Sequence, residues 1–477
     1  MKRITLILAF VLLALGQAQA QRITDNGIFY HSFRSPWSNS YNPALFPNKS
    51  GGYFTTAKTD INLDLPLSYK DLGLQYDPER DVTILNVNDV VNNLIDNGCH
   101  LGVSTDLNVL GFGFTVKNKL HISASAGVRI DGSANVPLGL LELVSEGNIN
   151  SNEMNSINFG AENILNLQAY GYASVSAALK LPVLPLTVGA RVNVLDGLVS
   201  AAVDNLSVDL RTSDDISKMT LTSDYRLHLA GLPTIEDLED LKDIDFSNID
   251  IKNILSEFKF PTNFGFTFDL GAKASLGMFD LSMSIKDLGP GIHWTYNPIA
   301  IVPKTRDITI SFDGVELSTL LTNGEIDTSF ISNFKDSLLA MIDYTEVEED
   351  FWYSMPTHMY IGASAHLGDF LRVGYLFQGL WHNGWFSNHH VSGTPFACNN
   401  TLSANLNLFN WLELGVANSF TYDGTNFTAF NPGASLTVGL GGKFQLFAAV
   451  EYVSSIYLAE IKAAHVLFGI NIVGLKK

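Results

Sequence analysis

A long run of alternating residues constrains this chain more than any other feature. The even-numbered positions from Phe264 to Leu276 are apolar, and the odd-numbered positions between them are small or polar. Successive side chains on a strand point to opposite faces, so this period of two predicts a β-strand. The run is longer than a typical strand of about 5–6 residues and long enough for a tilted membrane-spanning strand of about 9–11 residues. Its apolar face is therefore predicted to contact lipid.

The N-terminus predicts where such strands would be delivered. Lys2 and Arg3 precede an apolar run at residues 4–15, and Ala18-Gln19-Ala20 forms an A-x-A cleavage site. This order is typical of a secretory signal peptide, predicted here over residues 1–20. A membrane anchor helix is the alternative, but the apolar run is shorter than the ~20 residues that a span requires. We therefore predict export to the outer membrane.

Composition favours a membrane barrel. Only 16% of the residues are charged, against about 25% in a typical soluble domain. No later window holds about 18 uninterrupted apolar residues, so no transmembrane helix is predicted. A β-barrel spreads its lipid-facing side chains over alternating positions and fits both observations, whereas a large soluble array of β-sandwiches is the alternative. The net charge of −19 argues against nucleic acid as a partner.

Strand-like patterns recur from residue 53 to the C-terminus. Because bacterial single-chain barrels have even strand numbers, we predict an all-β, antiparallel transmembrane barrel of about 14 strands over residues 53–477. Residues 107–116 and 120–130 are predicted to form a hairpin around Lys117-Asn118-Lys119. Residues 53–60 and 61–69 are predicted to form the first strand pair.

Three insertions between the strands show apolar residues at helical spacing. They lie near residues 87–97, 234–258 and 315–343, and the second of them is acidic. Loops of this length are often functional or capping elements. We predict that they lie on one rim of the barrel or fold inward as a plug.

A motif before the first strand carries a resemblance to known barrels. Asn42-Pro43-Ala44, followed by Pro47 and Lys49, is similar to the "NPA" start of fatty-acid-transporter-like (FadL-type) outer-membrane barrels. It resembles more closely a Bacteroidota family of outer-membrane barrels of unassigned function. Two later segments strengthen this second resemblance: Phe260-Pro261-Thr262 with its continuation to Trp294, and Met355-Pro356-Thr357 with its continuation to Ala363.

The resemblance implies a barrel whose N-terminal segment, residues 21–52, lies in the lumen like a plug. It implies no reaction. The residues that would then gate a path for an apolar ligand are Trp37, Tyr41, Asn42, Pro43 and Ala44. The alternative is structural, because Asn-Pro fixes a turn and keeps the preceding residue extended.

Two charged residues lie on the small, polar face of the strand predicted from Phe264 to Leu276. Asp269 and Lys273 would line the lumen if that face points inward. They could then pair across the lumen or tune a pore. The alternative is an internal ion pair without a role in transport.

Patterns that carry catalysis or bind metal ions are incomplete. The motifs H-E-x-x-H and G-x-S-x-G and a Walker loop are absent from the sequence, so we predict no enzyme activity, no cofactor and no metal site. His382, His389 and His390 cluster without a nearby Cys or carboxylate, and we interpret them as an exposed loop. The sequence leaves open whether Cys99 and Cys398 form a disulfide.

These observations predict passive transport of a small or hydrophobic solute. The alternative is a non-catalytic surface scaffold that docks secreted or periplasmic proteins through its insertions. The expected partners are outer-membrane lipid, a hydrophobic small molecule and, in the second case, proteins bound at the insertions.

Overall fold

The computed structural model describes most of the chain in sixteen stretches. They are residues 27–46, 51–77, 82–84, 87–97, 100–135, 156–158, 161–212, 218–231, 263–304, 307–311, 344–381, 396–409, 411–422, 427–441, 443–455 and 457–475. The predicted signal peptide (1–20), the insertions predicted near 234–258 and 315–343, and the histidines of residues 382–390 lie outside these stretches.

The described residues are mainly β-strands. In chain order the strands are β1 (Gly51–Asp64), β2 (Gln75–Asp77), β3 (Val82–Ile84), β4 (His100–Val116), β5 (Leu120–Asn135), β6 (Ser156–Asn158), β7 (Ala161–Lys180), β8 (Leu186–Thr212), β9 (Lys218–Ala230), β10 (Phe264–Leu276), β11 (Phe279–Trp294), β12 (Ile299–Pro303), β13 (Asp307–Ser311), β14 (Tyr344–Glu348), β15 (Phe351–Tyr353), β16 (Thr357–Leu367), β17 (Leu371–Trp381), β18 (Phe396–Leu408), β19 (Leu412–Tyr422), β20 (Phe427–Leu440), β21 (Phe444–Glu451) and β22 (Ala463–Leu475). Helical segments cover Ser38–Tyr41, Lys70–Leu72, Val87–Asn97 and Leu458–Glu460.

Fourteen of these strands form a closed antiparallel ring. Its members pair in the order β1, β4, β5, β7, β8, β10, β11, β16, β17, β18, β19, β20, β21 and β22, and β22 pairs back with β1. Closure gives every strand a partner on both sides, so no edge is left unpaired. The prediction of an antiparallel barrel of about 14 strands is confirmed.

The alternation that predicted β10 separates the two faces of the barrel wall. Phe268 and Leu270 are 43% and 54% exposed on the outside, whereas Thr267 and Asp269, which alternate with them, are buried on the inside. Exposed apolar side chains recur on the outer face of the neighbouring strands, while buried polar side chains line the inner face. This arrangement is typical of a barrel that faces lipid on the outside and encloses a polar lumen.

The hairpin predicted around residues 117–119 is confirmed, since β4 and β5 pair along their whole length. The first predicted pair, residues 53–60 with 61–69, is wrong. Residues 51–64 form the single strand β1, which pairs with β4 on one side and β22 on the other. A bulge at Ala57, which has φ +56°, shifts the alternation within this strand. The shifted pattern therefore resembles two short strands in the sequence.

The two rims of the barrel differ. At one rim short turns join neighbouring strands, as at Gly277-Met278 between β10 and β11, and we call it the short-turn rim. At the opposite rim, the long-connection rim, β8 runs beyond its pairing with β10 and continues in a sheet with β9, β12, β13 and β14. The helix Val87–Asn97 lies in the connection from β1 to β4. Among the described residues, no helix has the length and apolar character of a membrane span.

The outward position of Leu270 gives a direct test of the lipid-facing surface. We expect Leu270→Arg to lower the free energy of unfolding in lipid vesicles by about 2–4 kcal/mol, since that is the effect of arginine near the bilayer midplane. Leu276→Arg is the matched control, because Leu276 is equally exposed but ends β10 at the short-turn rim. It should cost about 0–1 kcal/mol. Equal losses measured by denaturant titration would contradict the assignment of this face to lipid.

Candidate functional site

Residues 27–46 lie against the inner wall of the barrel, and we call them the lumenal segment. Its side chains are largely buried, and its polar contacts reach at least eight strands of the ring. All five gating candidates are in it. Asn42 and Ala44 are at most 1% exposed, and Tyr41 and Trp37 are 3% and 6% exposed. Whether these residues gate a path remains a prediction.

The Asn42-Pro43-Ala44 motif forms a tight turn against β10 and β11. The side-chain oxygen of Asn42 accepts a hydrogen bond from the Ala44 backbone N–H at 2.9 Å, as in an Asx turn. Its amide nitrogen donates to the carbonyl oxygens of Ala272 and Met283 at 3.3 and 3.2 Å. The motif therefore both shapes the segment and attaches it to the wall.

Glycines in the wall allow the motif to approach closely. A Cβ at Gly189 would lie 2.6 Å from the carbonyl carbon of Pro43, and a Cβ at Gly271 would overlap the side-chain oxygen of Asn42. Such distances are far below van der Waals contact. Only glycine at these two wall positions leaves room for the turn.

Arg191 on β8 donates hydrogen bonds to the lumenal segment and forms an ion pair within the wall. Its guanidinium donates to the backbone oxygens of Asn39 and Ser40 at 2.6 and 3.1 Å. It also donates to the side-chain oxygen of Asn39 at 2.7 Å and to Asp269 at 3.2 Å. Arg191 and Asp269 side chains are 11% and 1% exposed, so this is a buried, well-connected ion pair.

Two further charged residues hold residues 31–34. The carboxylate of Glu413 accepts hydrogen bonds from the Ser32 hydroxyl and from the backbone N–H groups of Phe33 and Arg34 at 2.9–3.1 Å. Arg372 donates to the backbone oxygens of His31 and Ser32, both at 3.2 Å. Charge-assisted bonds of this kind are about twice as strong as neutral ones.

The imidazole of His31 is neutral in this environment. Burial lowers the pKa of His31 to about 4. Its Nε2 lies 3.1 Å from the backbone oxygen of Tyr375. A carbonyl oxygen can only accept, so Nε2 carries the proton and donates it to this bond. His31 therefore adds a neutral hydrogen bond, and no charge, to the docked segment at neutral pH.

The two predicted lumen residues have different partners. Asp269 contacts the lumenal segment through Arg191, as described above. Lys273 pairs with Asp280 on the neighbouring strand, with the two charged atoms 3.1 Å apart. Four positions along a strand span about 13 Å, which places Asp269 and Lys273 in separate ion pairs. What either residue contributes to transport remains a prediction.

Several residues that hold the segment were missed by the sequence analysis. Three of them are Arg191, Arg372 and Glu413. Each lies at an inward position of its strand, and the residues directly before and after it in the sequence are small or apolar. An isolated charge in such a strand is the signal that could have identified them, because a charge at membrane depth has to face the interior. Nothing in the sequence, however, pairs these charges with residues 31–40.

A polar cavity lies beside the segment, on the side of the long-connection rim. Its empty space is about 410 Å³ when the open solvent at its mouth is included, and Ser40 and Tyr41 of the segment form part of its lining. Wall residues supply charges of both signs, chiefly Lys58, Asp60, Asp106, Arg129 and Lys286. Within the described part of the chain, no group of three or more His, Cys, Asp or Glu side chains is placed to hold a metal ion.

The chain is similar to several solved structures of bacterial proteins. They include a deletion mutant of the monoaromatic hydrocarbon channel TodX (TM-score 0.45, 8% identity, 98% of both chains covered), TodX being from Pseudomonas putida. They also include the Ralstonia pickettii toluene transporter TbuX (0.41, 10%, 97% of this chain and 98% of that chain). A third is a Pseudomonas aeruginosa FadL homologue (0.44, 10%, 96% and 100%). At these values the likeness carries no information about function.

Sequence comparison gives a firmer relation. No curated protein matches the chain. The profile of a family of unknown function, DUF5723, matches residues 43–451. This match covers most of the chain, and the protein therefore belongs to the DUF5723 family.

Proposed function

We propose that this protein carries a small solute passively across the outer membrane, with the lumenal segment as its gate. The observation that carries the proposal is the position of the segment. It crosses the lumen between the polar cavity and the short-turn rim, and polar side chains of the wall hold it there. A solute that enters the cavity therefore meets the segment before it reaches the other rim.

The contacts of the segment suit a gate. Its polar contacts include hydrogen bonds with the charged side chains of Arg191, Arg372 and Glu413, and water can replace such bonds once the segment moves. Apolar side chains of the segment also pack against the wall in two clusters. The net contribution of one hydrogen bond is about 0.5–1.5 kcal/mol, or about 1.5–3 kcal/mol where a charge takes part. Each of these bonds can be exchanged for a bond to water, which is what release of the segment requires.

The location and the solute class are parts of the same proposal. The predicted signal peptide and the apolar outer face support insertion in the outer membrane. The resemblance to fatty-acid-transporter-like barrels makes a hydrophobic solute one candidate class.

A reversible disulfide between the segment and the wall tests the gate. A Cβ at position 271 would lie 3.0 Å from the Cγ of Asn42, where the sulfur of a cysteine at position 42 would be. This spacing suits a disulfide between Asn42→Cys and Gly271→Cys, in a chain whose Cys99 and Cys398 are replaced by serine. In an isosmotic solution of a small solute, we expect liposomes that contain the oxidised protein to swell no faster than protein-free liposomes. A reductant should restore entry of the solute.

The two single-cysteine variants are the controls, since each carries one substitution but cannot form the cross-link. Their swelling rates should not respond to the reductant. Equal rates for the oxidised and reduced double variant would show that the segment is not a gate. If liposomes with the unaltered protein and with every variant swelled no faster than protein-free liposomes, the proposed transport function would be contradicted.

A further inference from the structure

The polar cavity has a lining that selects one class of solute. It is enclosed by the lumenal segment and by β1, β4, β5 and β11. We name it the lumenal cavity. Its wall carries the cations Lys58, Arg129 and Lys286 and the carboxylates Asp60 and Asp106. Charges of both signs thus surround a space large enough for a molecule of a few heavy atoms.

Lys58 lies between the two carboxylates without a close bond to either. Its ammonium nitrogen is 3.6 Å from Asp60 and 3.6 Å from Asp106, beyond the 2.7–3.2 Å of an N–H···O hydrogen bond. The residue itself is only 4% exposed, and its ammonium lies 4.9 Å from the ring centre of Trp37. Asp106 accepts a hydrogen bond from the Tyr172 hydroxyl at 2.8 Å, and Asp60 contacts Nε2 of His465. A carboxylate has about four acceptor sites, so one such partner leaves it able to accept another hydrogen bond, and Lys58 links the cavity to the segment.

The remaining cations come from two other strands. The Nε of Arg129 on β5 bonds Asp131 at 2.9 Å. The ammonium of Lys286 on β11 lies 5.8 Å from the ring centre of Tyr360. Both side chains also line the cavity, so positive as well as negative charge faces its space.

An apolar solute fits this lining poorly. It would displace water from several charged groups without replacing their hydrogen bonds, and each group left without a partner lowers the affinity. A molecule with one ammonium and one carboxylate replaces that water with charge-assisted bonds. Because such a molecule has no net charge, its binding also leaves the net charge of the cavity unchanged.

We propose that the lumenal cavity binds a small zwitterionic solute, with its ammonium group toward Asp60 and Asp106 and its carboxylate toward Arg129 and Lys286. The proposal rests on the proposed transport function and names its solute class. It replaces the hydrophobic solute suggested by the resemblance with a polar one, because the charges that line the cavity are those of this chain.

Glycine and its uncharged isomer glycolamide test the proposal, because the two have the same atoms and nearly the same size. We expect the protein-mediated swelling rate of liposomes, corrected for protein-free vesicles, to be roughly tenfold higher with glycine, since one charge-assisted hydrogen bond is worth about 1.5–3 kcal/mol. Asp106→Asn removes a charge with little change of shape, and Lys286→Met removes a cation on the side proposed for the solute carboxylate. Both should bring the two rates together.

Lys70→Met is the matched control, because Lys70 is 68% exposed in its side chain and pairs with Glu460 outside the cavity. It should leave the ratio of the rates unchanged, and heat modifiability on gels shows which variants fold. Faster entry of glycolamide, equal entry of the two isomers, or a preference that persists in the folded Asp106→Asn protein overturns the solute class while transport stands. No entry of either isomer overturns the proposed function and this inference with it.

Discussion

Gly189→Ala should increase the permeability of the barrel. A Cβ at this position would lie 2.6 Å from the carbonyl carbon of Pro43 and 2.7 Å from the backbone nitrogen of Ala44. Both atoms belong to the backbone of the turn, so no side-chain rotation relieves the overlap, and the turn has to leave the wall. Overpacking of this kind costs about 1–3 kcal/mol, which corresponds to a roughly 5- to 150-fold larger population with the segment released.

Two quantities are measured: the rate of solute entry into liposomes, and the cleavage of the lumenal segment by a protease added at the long-connection rim. Gly171→Ala is the matched control, because a Cβ there meets its nearest atoms only at 3.9–4.0 Å. It should resemble the unaltered protein in both assays. If Gly189→Ala gave unchanged entry and unchanged protection while the barrel stayed folded, the turn would not depend on this close approach.

Arg191→Met should destabilise the protein more than removal of any exposed charge. The substitution leaves Asp269 buried without its cation and removes the donors to Asn39 and Ser40. Removing one partner of a buried ion pair costs about 3–5 kcal/mol, mostly because the other charge remains uncompensated. Denaturant unfolding in lipid vesicles measures this loss, and the segment should become accessible to protease at the same time.

Two further variants separate the causes. Asp269→Asn in the Arg191→Met background removes the uncompensated charge, and we expect it to recover a large part of the lost stability but not the protection of the segment. Arg211→Met is the control for an exposed pair, since the Arg211 side chain is 70% exposed beside Asp209. A loss for Arg191→Met no larger than that of Arg211→Met would contradict the role of Arg191 as a buried anchor.

The barrel was predictable because its signal is local. The alternation from Phe264 to Leu276 assigns each side chain to one face without knowledge of any partner strand, and the hairpin at residues 117–119 joins neighbours in sequence. The prediction failed at β1, where the bulge at Ala57 changes the face of the following residues. A bulge is stabilised by the strands on either side, so its position was not visible in the strand's own pattern.

The site was predictable only in part. The Asn42-Pro43-Ala44 motif marked the segment through its resemblance, and Asp269 was marked as an inward charge. Arg191, Arg372 and Glu413 were not connected with the segment, because they lie 152, 341 and 381 positions from the residues they hold. Contacts at such separations depend on where each strand stands in the ring.

The sequence by itself determined the two-faced strands, since the period of two follows from the geometry of a single extended chain. Only the tertiary structure decided which inward charges meet one another and which meet residues 27–46. The physical reason is that every inward position satisfies the same local pattern, whereas a hydrogen bond requires two atoms within about 3 Å. Closure of the ring brings those atoms together, and it thereby creates both the docked segment and the charged cavity beside it.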